Sequence, residues 1–167
     1  MLALWGAVLA VLGVGAAMAG DWRVAIDGMQ ARWRVHGEEL VIELAADTTG
    51  WMVVGFNDRD HIVGADLVLV RVVGGKAELH DHHVVAAGDH RPDPTPSAGR
   101  RILDHAQSSG QTRARLALPL ASSDPHDHRL TGPGERWMIL AWSVSPDLDH
   151  HSRVRRHIRL RGLQPAE

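Results

Sequence analysis

Apolar and polar positions alternate with a period of two along most of the chain after Trp22. Trp22, Val24 and Ile26 share one face. Ala31, Trp33 and Val35 share another, with Arg32, Arg34 and His36 opposite. Such alternation marks strands covered on one side. His36-Gly37 reads as a turn, and Leu40, Ile42 and Leu44 resume the alternation. Leu67 to Val73 runs into Gly74-Gly75, a two-residue hairpin turn, with Lys76 to Val85 as the return strand. Arg113 to Leu120 alternates again. Trp137 to Val144 is apolar on both faces, which predicts a central strand. In the last strand Val154, Ile158 and Leu160 oppose Arg155, His157, Arg159 and Arg161. Residues 86–99, "AAGDHRPDPTPSAG", are rich in Pro and Gly and predict one long loop. No stretch carries the repeat of an amphipathic helix. Many short strands between Gly/Pro turns predict an all-β antiparallel sandwich or barrel.

Residues 2–19, "LALWGAVLAVLGVGAAMA", are uncharged and end in Ala17-Met18-Ala19, the small-residue pattern of a signal-peptidase site. The expected organisation is a leader over 1–19, either a cleaved signal peptide or an uncleaved anchor, and one domain over 20–167. Both leader types place the domain outside the cytoplasm, in the periplasm or the extracellular space. With no cysteine, disulfides, thiolate metal sites and c-type haem attachment are excluded. The net charge of −2 excludes the basic profile of a nucleic-acid binder. Membrane contact is expected only through an uncleaved leader.

Twelve histidines stand out. His80/His82 and His126/His128 have i, i+2 spacing, which on a strand puts both imidazoles on one face and suits a metal. Asp58, Asp60 and Asp66 cluster in the loop after "GWMVVGFN" and suit a hard cation such as calcium. The competing reading has Asp66 simply fixing the start of the next strand. Trp22, Trp33, Trp51, Trp137 and Trp142 are core fillers, or walls for a flat ligand or a sugar. There is no H-E-x-x-H, no Gly-x-Ser-x-Gly and no phosphate-binding Gly loop, so no catalytic residue is assigned.

The order of these features resembles the DOMON domain, the family of the amino-terminal domain of dopamine β-monooxygenase and its relatives. More distantly it resembles the haem-binding cytochrome domain of cellobiose dehydrogenase. The stretches that carry the resemblance are "ARWRVHGEELVIELAADTTGWMVVGFN", "IVGADLVLVRV", "ELHDHH", "GQTRARLALPL", "SSDPHDHRL", "RWMILAWS" and "DLDHHSRVRRHIRL". They span most of residues 29–161. The resemblance implies an immunoglobulin-like antiparallel β-sandwich. It also implies a module that binds haem b or a sugar, or that docks on a redox enzyme. Haem-binding members commonly place a Met just before the x-Gly-Ala-Asp step and a His in a late His-x-x-Arg region. The late histidine corresponds to His150 or His151. The Met position holds Ile62, which cannot ligate iron, and His61 beside it is the substitute considered. Trp51 and Met52 complete the cofactor set that the resemblance implies. Ser123 stands near where monooxygenase relatives carry a Cys. His82, His128 and His150 stand where relatives often carry Tyr.

The expected function is therefore an exported, non-enzymatic ligand-binding or redox-accessory module, with haem b as its sharpest form. The alternatives are a haem-free metal- or carbohydrate-binding module, and an interaction module docking on an extracytoplasmic oxidoreductase.

Overall fold

The structure is a computed structural model that describes residues 20–94 and 99–166. The expected leader over 1–19 lies outside the described residues. Among the described residues, twelve strands account for the regular structure. They are β1 (Trp22–Ile26), β2 (Met29–His36), β3 (Glu39–Ala46), β4 (Met52–Asn57), β5 (Asp66–Val73), β6 (Lys76–Ala86), β7 (Asp89–Pro92), β8 (Arg101–Ser108), β9 (Gln111–Pro119), β10 (Glu135–Trp142), β11 (Val154–Arg161) and β12 (Gln164–Pro165). They form two antiparallel sheets, β1-β2-β3-β9-β8 and β12-β11-β10-β4-β5-β6-β7. The sheets stack as a sandwich, as the alternation predicts.

The inner faces interdigitate as the period-two pattern requires. Trp33, Ile42, Leu44 and Leu116 from the five-stranded sheet meet Met52, Val54, Phe56, Val68, Met138 and Leu140 from the seven-stranded one. Trp33 Nε1 donates to the Leu163 carbonyl at 2.8 Å, and Trp142 Nε1 to the Asp27 carbonyl at 2.8 Å. Each buried indole thus satisfies its polar edge and ties one sheet to the other's flank. The β5–β6 hairpin turns at Gly74 and Gly75, both at positive φ, the conformation a tight two-residue turn needs.

β10 is paired on both sides, with β4 and β11. Met138, Leu140 and Trp142 fill the inter-sheet core. Ile139 and Ala141 point to the other face and are also buried. A second, smaller apolar cluster covers that outer face: Trp51, Val53, Ala65, Leu67, Leu69 and Val84 join Ile139 and Ala141.

Residues 86–99 are not one loop. The chain turns at Ala87-Gly88 and returns as β7, paired to β6 across a bulge between Val84 and Ala86. β7 is the sheet edge, where a terminal Pro92 costs no ladder bond. β8 is a further strand, exposed at nearly every position, so it shows no apolar alternation to read.

Candidate functional site

A cleft opens on the outer face of the seven-stranded sheet. Its floor is Val53 from β4, Leu67 and Leu69 from β5, Val84 from β6 and Ala141 from β10. Trp51 and Ile62 wall it, and His90, His150, His151 and Arg155 bring polar groups to it. Sheet order places His90, on edge strand β7, across β4, β5 and β6 from the loop after β10 that carries His150 and His151.

His150 is held in a defined tautomer. Its Nδ1 lies 3.0 Å from its neighbour's carbonyl, His151 O, and 2.9 Å from Ser143 Oγ. A carbonyl only accepts, so Nδ1 carries a proton, and in the neutral ring Nε2 is the nitrogen with the lone pair. That is the form in which an imidazole ligates iron or zinc. Trp51 Nε1 donates to Asp147 O at 2.9 Å, which fixes the start of the same loop against the cleft wall.

His82 and His90 meet beside the cleft, with their Nδ1 atoms 2.8 Å apart. One must donate and the other accept, so the pair excludes a second proton between them. Burial, then the charges of His90 and His80, pull the His82 pKa from 6.5 down to about 4. Between these values the folded protein binds fewer protons than the unfolded chain. The His82 contribution to stability is therefore complete above pH 6.5 and is lost as pH falls towards 4. Relative to a His82→Gln variant, the wild type is expected to lose about 1–2 kcal/mol over that window, discounted for solvent screening. Thermal melts of both proteins between pH 4 and 7 check this, and parallel profiles would refute it.

The inner face at the β6–β7 edge carries a different chemistry. Asp66, Asp81 and His83 come from β5 and β6 and point between the sheets. Arg100, at the entry to β8, reaches Asp66 at 2.7 Å, Asp81 at 2.5 Å and Asp127 at 2.7 Å, with every partner side chain almost fully buried. Burial pushes the Asp66 carboxyl up to about 7, against the pull of Arg100. For Arg100 itself, burial opposes the charge, but its carboxylate partners outweigh that and raise its pKa. Three carboxylates on one guanidinium leave one of them easily protonated. Beside this knot, Asp93 Oδ1 lies 2.6 Å from both His83 Nδ1 and His126 Nδ1.

The DOMON domain family matches residues 26–143, most of the described sandwich. The chain belongs to the DOMON domain family. The protein "MOXD1 homolog 2" of Drosophila melanogaster is 27% identical over 138 residues, 80% of this chain and 18% of that protein. "DBH-like monooxygenase protein 2" of Mus musculus is 31% identical over 125 residues, 73% of this chain and 20% of that protein. The chain thus spans about a fifth of the length of these curated relatives. DOMON is a non-catalytic module, and the activity named for the whole relatives does not follow from this part. The crystal structure of the cytochrome b domain of pyranose dehydrogenase from Coprinopsis cinerea superimposes with a TM-score of 0.56. It covers 84% of this chain and 81% of that one at 12% identity, a likeness of fold.

Within the DOMON sandwich, the residues singled out from sequence separate into several places. Trp51, Ile62, His150 and His151 come together at the outer cleft. His61 does not line it, and its Nδ1 accepts from Val63 N at 3.0 Å on the exposed loop. Met52 faces the opposite way, into the inter-sheet core. His80 and His82 do share the outer face, but His80 pairs with Glu78 at 3.2 Å and His82 with His90. His126 lies at the β6–β7 edge, while His128 Nε2 donates to Gly64 O at 2.8 Å. Asp58, Asp60 and Asp66 part company. Asp60 pairs with His157 at 2.8 Å, Asp58 stays exposed near Arg59, and Asp66 holds Arg100. Asp66, the first residue of β5, thus holds the Arg100 guanidinium. Sequence reading missed His90, because its segment read as loop. The i, i+2 run His80, His82, Val84 with a return through Gly88 is the signal that places it.

Proposed function

We propose that this domain is an exported redox-accessory module whose outer cleft binds haem b, with His150 as the protein ligand. The observation that carries this is the convergence of Trp51, Ile62, His150 and His151 on one apolar-floored cleft. The neighbouring fold is that of a cytochrome b domain, which supports the reading.

The donor set fits one side of a haem. His150 presents an Nε2 lone pair, its other nitrogen engaged by a carbonyl and by Ser143, the support that ligating imidazoles commonly have. Ile62 supplies no donor and stands as apolar wall. Across the floor, His90 is a second imidazole that would help hold the group. One proton lies between the Nδ1 atoms of His82 and His90, and in the arrangement where His82 accepts, His90 would keep Nε2 for the iron. The enclosed part of the cleft is about 110 Å³, below the about 300–1,000 Å³ typical of ligand pockets. A macrocycle therefore requires the β6–β7 hairpin and the loop over 147–153 to part. Haem bound there would supply one-electron chemistry. The chain's own part is to hold the iron, keep one face dry and leave the other edge open to a partner. The partner class that suits this role is an extracytoplasmic oxidoreductase.

The test is the visible spectrum of residues 20–167, purified without a tag, before and after adding haem. A sharp Soret band is expected, with split bands on reduction. His150→Ala with His151→Ala is expected to abolish it, and His90→Ala to convert it to a high-spin spectrum. Absence of haem uptake at about micromolar concentration, or an unchanged spectrum in the double variant, overturns the assignment.

A further inference from the structure

We propose that His83, His126 and Asp93 bind a divalent transition-metal ion of the zinc class at the β6–β7 edge, with Asp124 as a neighbouring oxygen donor. This site is separate from the outer cleft and does not depend on haem.

The donor atoms are gathered in one place. One nitrogen from each imidazole and one Asp93 oxygen all lie within 4.8 Å of one another. The two rings stack in parallel, 3.8 Å apart at 9°, and both Nδ1 atoms reach the same Asp93 Oδ1 at 2.6 Å. Asp124 Oδ1 is 3.6 Å from His126 Nδ1. A metal accepting both Nδ1 lone pairs needs each neutral ring only to move its proton to Nε2.

A second observation calls for a cation here. The Asp93 side chain is 0% exposed, and its Oδ2 accepts no hydrogen bond from the described residues. A buried carboxylate oxygen left this way is costly unless a positive charge meets it. Arg100 serves the adjacent trio of Asp66, Asp81 and Asp127, so that acidic group already has its cation. Asp93 and Asp124 have the two imidazoles instead.

The donors choose the metal class. Two imidazole nitrogens with one or two carboxylates suit zinc, nickel or copper(II), whereas calcium and magnesium take oxygen shells. The His126 side chain is 38% exposed, which leaves a path for the ion. Of the histidines that i, i+2 spacing pointed to, only His126 belongs. Its partner is His83, on the face of β6 opposite His80 and His82.

The full chain, untagged, stripped with a chelator and free of haem, is titrated with Co²⁺ and then with Zn²⁺ in competition. One equivalent with visible d–d bands, displaced by zinc, is expected. His83→Asn and His126→Asn are each expected to weaken binding about a hundredfold or more, with His80→Asn and His128→Asn unchanged. Far-UV circular dichroism confirms that each variant is folded. Should a His83 variant not fold, X-ray absorption of the zinc-loaded wild type decides, with two imidazoles expected in the first shell. Wild-type affinity in the His83 and His126 variants, a different imidazole count, or no binding below about millimolar metal overturns the proposal.

Discussion

Replacing Arg100 with Met is expected to destabilise the domain by about 3–5 kcal/mol near neutral pH. The guanidinium is the common counter-charge of Asp66, Asp81 and Asp127, all buried. Removing it leaves three carboxylates together in a medium that cannot hydrate them, and each raises the pKa of the others. They respond by taking up protons, so the loss is smaller in acid. Asp66 sets the sign. Its pKa is raised to about 7 even with Arg100 present. Its stabilising proton is fully held below the unfolded value of 3.8, and that contribution is lost as pH rises through 7. Denaturant melts of wild type and Arg100→Met at pH 5 and pH 8 are expected to differ more at pH 8. Arg101 lies next in sequence, but its ion pair with Glu39 is at the surface, so Arg101→Met is expected to change little. Equal midpoints for Arg100→Met and Arg101→Met would show that the buried knot contributes nothing special.

Replacing Gly50 with Ala is expected to lower the melting temperature by about 6–12 °C, corresponding to about 3 kcal/mol of overpacking. A Cβ at Gly50 would lie 2.2 Å from Ser143 O and 2.7 Å from both Ser145 N and Ser145 O. All three are backbone atoms, so no side chain can swing aside. The Ser143 carbonyl also accepts from Thr48 Oγ1 at 2.5 Å, and Ser143 N donates to Trp51 O at 2.9 Å. The strand end must move as a unit, and Ser143 Oγ, which holds His150, moves with it. Haem affinity is therefore expected to fall along with stability. Gly37→Ala is the comparison: its φ is +61° but nothing lies within 4 Å. It carries only the left-handed backbone cost, about 1–2 kcal/mol. A Gly50→Ala variant that melts no lower than Gly37→Ala would contradict the close approach.

How much of this was legible in the chain depended on how much apolar area each strand buries. β2, β3 and β9 alternate because one face is core and the other is water, and the alternation reads directly. β10 reads as central because both of its faces are covered. β8 buries almost nothing along its length, so no pattern distinguishes it from loop. β7 was hidden by its terminal Pro92 and by Gly88 in the turn before it, and an edge strand tolerates the Pro. The outer cleft was legible in its wall and its late histidines, since those positions follow the family order. Its third imidazole, His90, needed the unseen hairpin. The buried charge knot was not legible, since Arg100 is one of many arginines and only the fold brings it to Asp66. Parity on β6 separates the histidines that lie close together in sequence. On β6, His80 and His82 face outward, and the neighbouring Asp81 and His83 face the acids.

The seven-stranded sheet separates two jobs by its two faces. Inward-facing side chains join the large core that holds the sandwich together, while outward-facing ones line a small cluster roofed only by loops. Substitutions on the roof, such as at Ile62, therefore alter the cleft wall without touching the inter-sheet core. A sandwich arranged this way is free to change ligands over evolutionary time while its architecture stays fixed.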